Sequence, residues 1–379
     1  MQKSIRYKFN FSRILEIGYF GVIFLGLYVD AMVPFVHAAS VMRNWLIILL
    51  LILSAIYEDH TRTQWFILIG GLIIYLFGLL NHYNNLEELI LVSLMFAMSN
   101  SNPKKIIRGS VILIFVFLLI VTLASKIGII QNLLFYREGA VRQSLGMMHP
   151  LTYAGFILYA CSGLVVTSKN NNIWWKILLL ILCGLFIYKV NGARNDTVGM
   201  FFLVLCLFST FLPEKINKVI SYFLIILLPV MIFISIFSIK YISYTSNFYP
   251  IINDVLHGRL DLQMQVWSFF EPKFFGQFIL QNGLGRSTQK IVNYFYIDNS
   301  YLRLLFMNGI LFFVLFLIIF FSLIYRLMHH KLYKVAFVII VLAFAGITED
   351  SFINPLMNIF IMMFITPTPL LVQSFKEIK

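Results

Sequence analysis

The chain has 379 residues, 60% of them hydrophobic and only 12% charged, with a mean hydropathy of +0.88 and a net charge of +13. A soluble chain of this length carries about twice that charged fraction, so a single soluble domain is excluded. In a membrane protein positive charge reports loop topology, so the basic balance does not argue for nucleic acid.

Apolar runs of the length a membrane helix needs, about 20 residues, recur along the whole chain. In order they run near Ile14–Val36, Trp45–Tyr57, Trp65–Leu80, Leu89–Met98, Gly109–Ser125 and Leu151–Thr167. The next are near Ile173–Tyr188, Thr197–Leu212 and Val219–Phe237. A tenth span begins around Asn299, and two more lie near Val335–Ile347 and Phe352–Val372. The expected fold is therefore all-α: one transmembrane domain over residues 1–379, with about twelve spans. Cys161, Cys183 and Cys206 all lie inside apolar runs and read as small buried hydrophobes, so neither a disulfide nor a metal site is expected. No zinc signature, Walker motif or cleavable signal peptide is apparent.

Lysine sorts the loops. Segments "KSIRYK", "EDHTRTQ", "NPKKIIR", "SKNNN", "PEKINK", "RLMHHKLYK" and "FKEIK" fall on one side and carry most of the lysines. The positive-inside rule makes that side cytoplasmic, with both termini there. The other side holds Arg43, Arg137, Arg142, Arg194, Arg259, Arg286 and Arg303. Arginine there runs against topology, and its planar fork of donors suits phosphate or carboxylate. Ion pairing to Glu138, Asp196, Asp261 or Asp298 is the simpler alternative.

The longest interval without a span is residues 240–298, a large extracytoplasmic loop in this scheme. Within it His257 to Phe270 reads as a helix with Leu260, Met264 and Trp267 on one face, stopped by Pro272. That face suits either the membrane surface or a packed cap. Gly283 and Gly285 in "NGLGRS" permit a tight turn beside Arg286. Asp298 and Asn299 stand where the loop re-enters the membrane. A carboxylate partly desolvated there becomes a stronger base, and Asp298 also suits the N-cap of the tenth helix. Arg303, about one turn further in, should face a polar cavity. His149 before Pro150 reads as a helix-start residue.

These features resemble the bacterial O-antigen polymerase and ligase superfamily of inner-membrane glycosyltransferases. The likeness rests on about twelve spans, one large late loop and arginines facing it. The ligase branch carries a His followed by Asn, Ser or Gln, nine residues, then Gly and shortly after it Thr. Here Asp298, Asn299, nine residues and Gly309 keep the spacing. Asp298 replaces the His and Phe312 stands where the Thr would fall, which favours the polymerase branch. The resemblance implies a multi-pass enzyme of the bacterial inner membrane, without metal or cofactor. It would move a growing glycan from polyprenyl diphosphate to a sugar hydroxyl of the next lipid-linked unit of an O-antigen, capsule or exopolysaccharide. Its partners would be polyprenyl diphosphate-linked oligosaccharide, the lipid bilayer, a flippase and a chain-length regulator. In that reading Asp298 is the base, with His257 the alternative. Arg137, Arg194, Arg259, Arg286 and Arg303 hold the diphosphate and Asn299 a sugar. A ligase, or a flippase or exporter of the same lipid-linked glycan, are the competing readings.

Overall fold

The computed structural model describes residues 2–80, 86–137, 139–169, 172–255, 258–289 and 291–376. The first half of the chain forms α1 (Gln2–Val29), α2 (Val36–Tyr57), α3 (Arg62–Leu80), α4 (Leu86–Met98) and α5 (Pro103–Lys126). A hairpin of β1 (Leu134–Arg137) and β2 (Ala140–Gln143) precedes α6 (Pro150–Thr167), α7 (Ile173–Phe186) and α8 (Arg194–Phe208). Then follow α9 (Glu214–Tyr241), α10 (Phe248–Val255), α11 (Arg259–Phe269), α12 (Ser300–Arg303), α13 (Ile310–His329), α14 (Tyr333–Ala345) and α15 (Thr368–Phe375).

Eight helices among the described residues are long and apolar enough to cross a membrane: α1 from Phe11, α2, α3, α5, α6, α7 continued to Asn191, α9 and α13. Their apolar surfaces are only partly covered by protein, as lipid-facing helices require. The chain is thus a helical, polytopic, membrane-embedded protein. The expected further spans take other forms. Three are short helices: α4 and α14 of 13 residues each and α8 of 15. The span beginning at Asn299 is not one helix. α12 passes into a π-helical turn, Leu304–Asn308, and the backbone breaks at Gly309 before α13 starts.

The run read as a twelfth span, Phe352–Val372, is not one helix; only its end, from Thr368, belongs to α15. Residues 350–366 form a chain of 3₁₀ and single turns, and every residue from 351 to 366 is buried except Asn354, which is partly so. Pro355 lacks the amide hydrogen a helix interior needs, and Pro367 stands at the N-cap of α15. Asn354 and Asn358 replace helical bonds with side-chain ones, accepting from Leu356 N at 3.0 Å and Phe360 N at 3.1 Å. Helices close on this segment at small residues. An added Cβ on Gly26, Gly155 or Gly163 would lie within 3.2 Å of Leu356, Met357 or Ile359. At its far end Arg326 donates to the carbonyls of Phe364 (2.7 Å) and Thr366, and Gln64 to that of Ile365 (3.4 Å). Irregular backbone is tolerated at membrane depth only when buried and satisfied in this way.

Loops distant in sequence meet in two sets of contacts. In one, Gln64 meets Asn100 at 3.0 Å, Lys331 pairs with Glu214 at 2.8 Å, and Lys334 donates to Ser168 O at 3.1 Å. In the other, Met148 N donates to Asp30 O at 2.8 Å and Arg286 to Val29 O. The helix of the large loop, α11, begins at Arg259 and caps the bundle. Leu260 and Met264 pack with Ile239 of α9, and Trp267 Nε1 donates to Ile236 O at 2.9 Å.

Candidate active site

The hairpin lies between α5 and α6. Its period of two puts Phe135 and Arg142 opposite one another on the inner face, while Tyr136 points outward. The inner face docks on the end of α7, which widens into a π-helical turn, Ile187–Asn191, and stops at Gly192 with φ 63°. Arg142 lies across that glycine; a Cβ there would come within 2.9 Å of the arginine Cγ and Nε. Arg142 Nε donates to Asn191 O and Asn191 Nδ2 to Gln143 O, both at 2.8 Å. Burial lowers the Arg142 guanidinium to about 10, with the nearby charges of Arg137, Arg259 and Arg194 adding to the effect. It remains a cation at neutral pH.

Gly258, in the left-handed conformation, turns the chain into α11 and sets Arg259 inward. Arg259 donates from Nη1 to Thr348 O, and its Nε stands 3.3 Å from Asp298 Oδ2. Burial raises the Asp298 carboxyl to about 6; Arg259 opposes this, while Asp350 and Glu349 reinforce it. Asp298 does not cap the next helix. Asn299 does, its Oδ1 accepting from Tyr301 N at 2.9 Å and Leu302 N at 3.0 Å. Asn299 is fully buried and its amide also donates to Ser235 Oγ at 3.3 Å, so this side chain is not presented to a sugar.

Arg303 faces polar groups as anticipated, but they are the protein's own acids. Nη2 makes a fork to Glu87 at 2.8 and 2.9 Å, and Nη1 meets Asp350 at 2.6 Å. Tyr296 donates to the same Asp350 oxygen at 2.6 Å. Arg303 therefore ties α12 to α4 and to the turn after α14, and its fork is not open to a phosphate. Arg286 stands beside Asp30, whose carboxyl burial raises to about 7 against the charges of Arg43 and Arg286. Arg137, Arg194 and Arg259 are brought together around Arg142, and Arg259 joins that group to Asp298; Arg303 and Arg286 adjoin it through Asp350 and Asp30. His257 lies outside the described residues. His149 caps α6, Nδ1 accepting from Leu151 N at 3.2 Å, and burial lowers it to about 4, so it is neutral.

Two acids that no spacing singled out complete the cluster. Asp196, in the first turn of α8, and Glu349, after α14, are buried beside one another. Among the described residues no group of three His, Cys, Asp or Glu side chains is placed to hold a metal ion. Beside the cluster, α8, α9 and α14 splay around an apolar groove of about 720 Å³. Its walls include Phe202, Phe223, Leu227 and Phe344, and Asn195 and Thr348 form its polar end. Thr348 is the residue whose carbonyl holds Arg259.

No protein-family model, curated protein or solved structure matches this chain.

Proposed function

We propose that the chain is a membrane glycosyltransferase that polymerises lipid-linked oligosaccharide repeat units of an O-antigen, capsule or exopolysaccharide. One observation carries this reading: Arg259, which belongs to a group of four arginines and pairs with the raised Asp298 carboxylate, is held by Thr348 at the polar end of an apolar groove. An amphiphile with an anionic diphosphate head and a long hydrocarbon tail fits both halves of that arrangement. The tail would lie along Phe202, Phe223 and Phe344, and the head against Arg142, Arg194 and Arg259.

In the reaction, Asp298 accepts the proton of a sugar hydroxyl on the incoming lipid-linked unit. The hydroxyl oxygen forms the new bond to the anomeric carbon of the growing chain. The bond from that carbon to the diphosphate oxygen breaks, and polyprenyl diphosphate departs with the electron pair. Guanidinium groups stabilise the charge that gathers on the leaving oxygen. Arg303 serves as a strut and not as part of this clamp.

The deciding measurement is the surface polysaccharide of a deletion strain. Single repeat units on the carrier or acceptor are expected. Polymer left on the carrier would indicate a ligase, and units trapped inside the cell a flippase.

In this reading the arginine face lies outside the cytoplasm of a bacterial inner membrane and both chain ends lie inside, as the lysine bias requires. Reporter fusions at Ser287 and at the C-terminus are expected to report opposite sides. A cytoplasmic signal at Ser287 would refute the orientation.

A further inference from the structure

Between the hairpin and the turn after α14, several buried polar atoms lack partners. Arg142 Nη2, Asn191 Oδ1, Glu349 Oε1 and both carboxylate oxygens of Asp196 have none. Buried polar atoms are ordinarily satisfied, so this concentration in one place is informative. Two carboxyl groups buried side by side disfavour being ionised together, so Asp196 and Glu349 hold at least one proton between them. Arg142 faces them from β2, Arg259 from α11, Asp350 from the following turn, Tyr159 from α6 and Asp298 from just before α12, while the neighbouring Asn195 donates to Thr348 Oγ1 at 3.1 Å. Burial raises the Glu349 carboxyl above its usual range, with Arg259 opposing. The remaining negative charge of the pair draws on the same two arginines that an incoming anion needs.

We infer that Asp196 and Glu349 are a proton-binding pair, which takes up a further proton from solvent when a diphosphate settles against Arg142 and Arg259. Arg142 Nη2, buried and unpartnered, is then a donor kept for that anion. A second proton neutralises the pair and leaves both guanidinium charges to the diphosphate; when the diphosphate leaves, the proton is released. Linkage makes this reciprocal. If binding takes up a proton, affinity rises as pH falls, by at most about tenfold per pH unit for one proton. The inference rests on the diphosphate reading above and adds to it a residue, Arg142, and a coupled proton.

The test is calorimetric titration of the purified protein in detergent with farnesyl diphosphate, in buffers of different ionisation enthalpy, with farnesol as the control. The uptake of protons per bound diphosphate is expected to be greater in the wild type than in Glu349→Gln by about one. Glutamine keeps a donor toward Asp196 while removing the titration. Asp196→Asn is the companion variant, used if gel filtration shows that Glu349→Gln does not fold. Both are expected to flatten the rise in affinity between about pH 8 and about pH 6. Tight binding with the same proton count in wild type and variants would overturn the inference and leave the diphosphate reading standing. No binding of farnesyl diphosphate at either pH, or binding equal to farnesol, would overturn both.

Discussion

Replacing Asp298 by asparagine is expected to lower polymer synthesis by about 10²- to 10⁴-fold at unchanged protein level, the range general base catalysis supplies. The carboxyl is partly exposed and 3.3 Å from Arg259 Nε, so a hydroxyl can approach it while the guanidinium orients it. Lifted to about 6 by burial, it is ionised at neutral pH yet more basic than a surface aspartate. A base must be deprotonated to act, so wild-type activity should fall as pH drops through about 6, and the variant should lose that limb of its profile. The substitution is clean because Asn299 caps the helix, so Asp298 carries no capping duty. Product ladders from membranes supplied with lipid-linked repeat units measure the effect. Polymer of normal length and quantity from Asp298→Asn would remove this residue from the chemistry.

The second large effect is one of stability. Gly309, at φ 91° and ψ 165°, occupies backbone space that only glycine enters readily. The segment after α11 threads against it. Ile310 N donates to Lys273 O at 2.9 Å, Leu311 N to Phe274 O at 3.2 Å, and Gln277 N to Met307 O at 3.1 Å. A Cβ on Gly309 would meet Gly276 N at 2.2 Å and Phe274 O at 2.6 Å, atoms of backbone that cannot swing aside. Gly309→Ala should therefore cost about 3 kcal/mol or more, from strain and overpacking together. It should appear as a lower melting temperature and a poorer yield of monodisperse protein. Gly70→Ala is the control, since a Cβ there meets nothing within 4 Å. A Gly309→Ala protein that melts with the wild type would refute this joint.

The long helices were legible because a bilayer imposes length, and each of the eight coincides with an uninterrupted apolar run. What hydropathy measures is burial, not helicity, and that is where the reading failed. "FINPLMNIFIMMFITPTP" is apolar enough for a span, but its prolines and asparagines mark a chain folded against other helices. "LLFMNGILFF" is apolar on both sides of its break, with only the Asn308–Gly309 step to betray it. The hairpin left a fainter trace in the alternation of "LFYR" and "AVRQ" around a glycine. At the site, the loop arginines and Asp298 were visible because charge is scarce in this chain. Pairing with Asp298 was open to that reading, and Arg259 does make it, but the acid–acid and Arg303 contacts were not legible. Asp196 and Glu349 touch across a gap of 153 residues, as do Arg303 and Glu87 across 216, and nothing local encodes either meeting. Arg303 was placed correctly among polar groups, but sequence could not say that those groups would be acids of the same chain.

Residues 350–366 set a condition on how the protein is made. A helix can leave the insertion machinery alone, because its amides are already paired. This segment cannot. Each bare amide or carbonyl in hydrocarbon is penalised by several kcal/mol. Its partners on α1, α3, α6 and α13 are all synthesised before it. Its docking must therefore wait for a groove that the earlier helices have already assembled, so this segment settles after the helices that bury it.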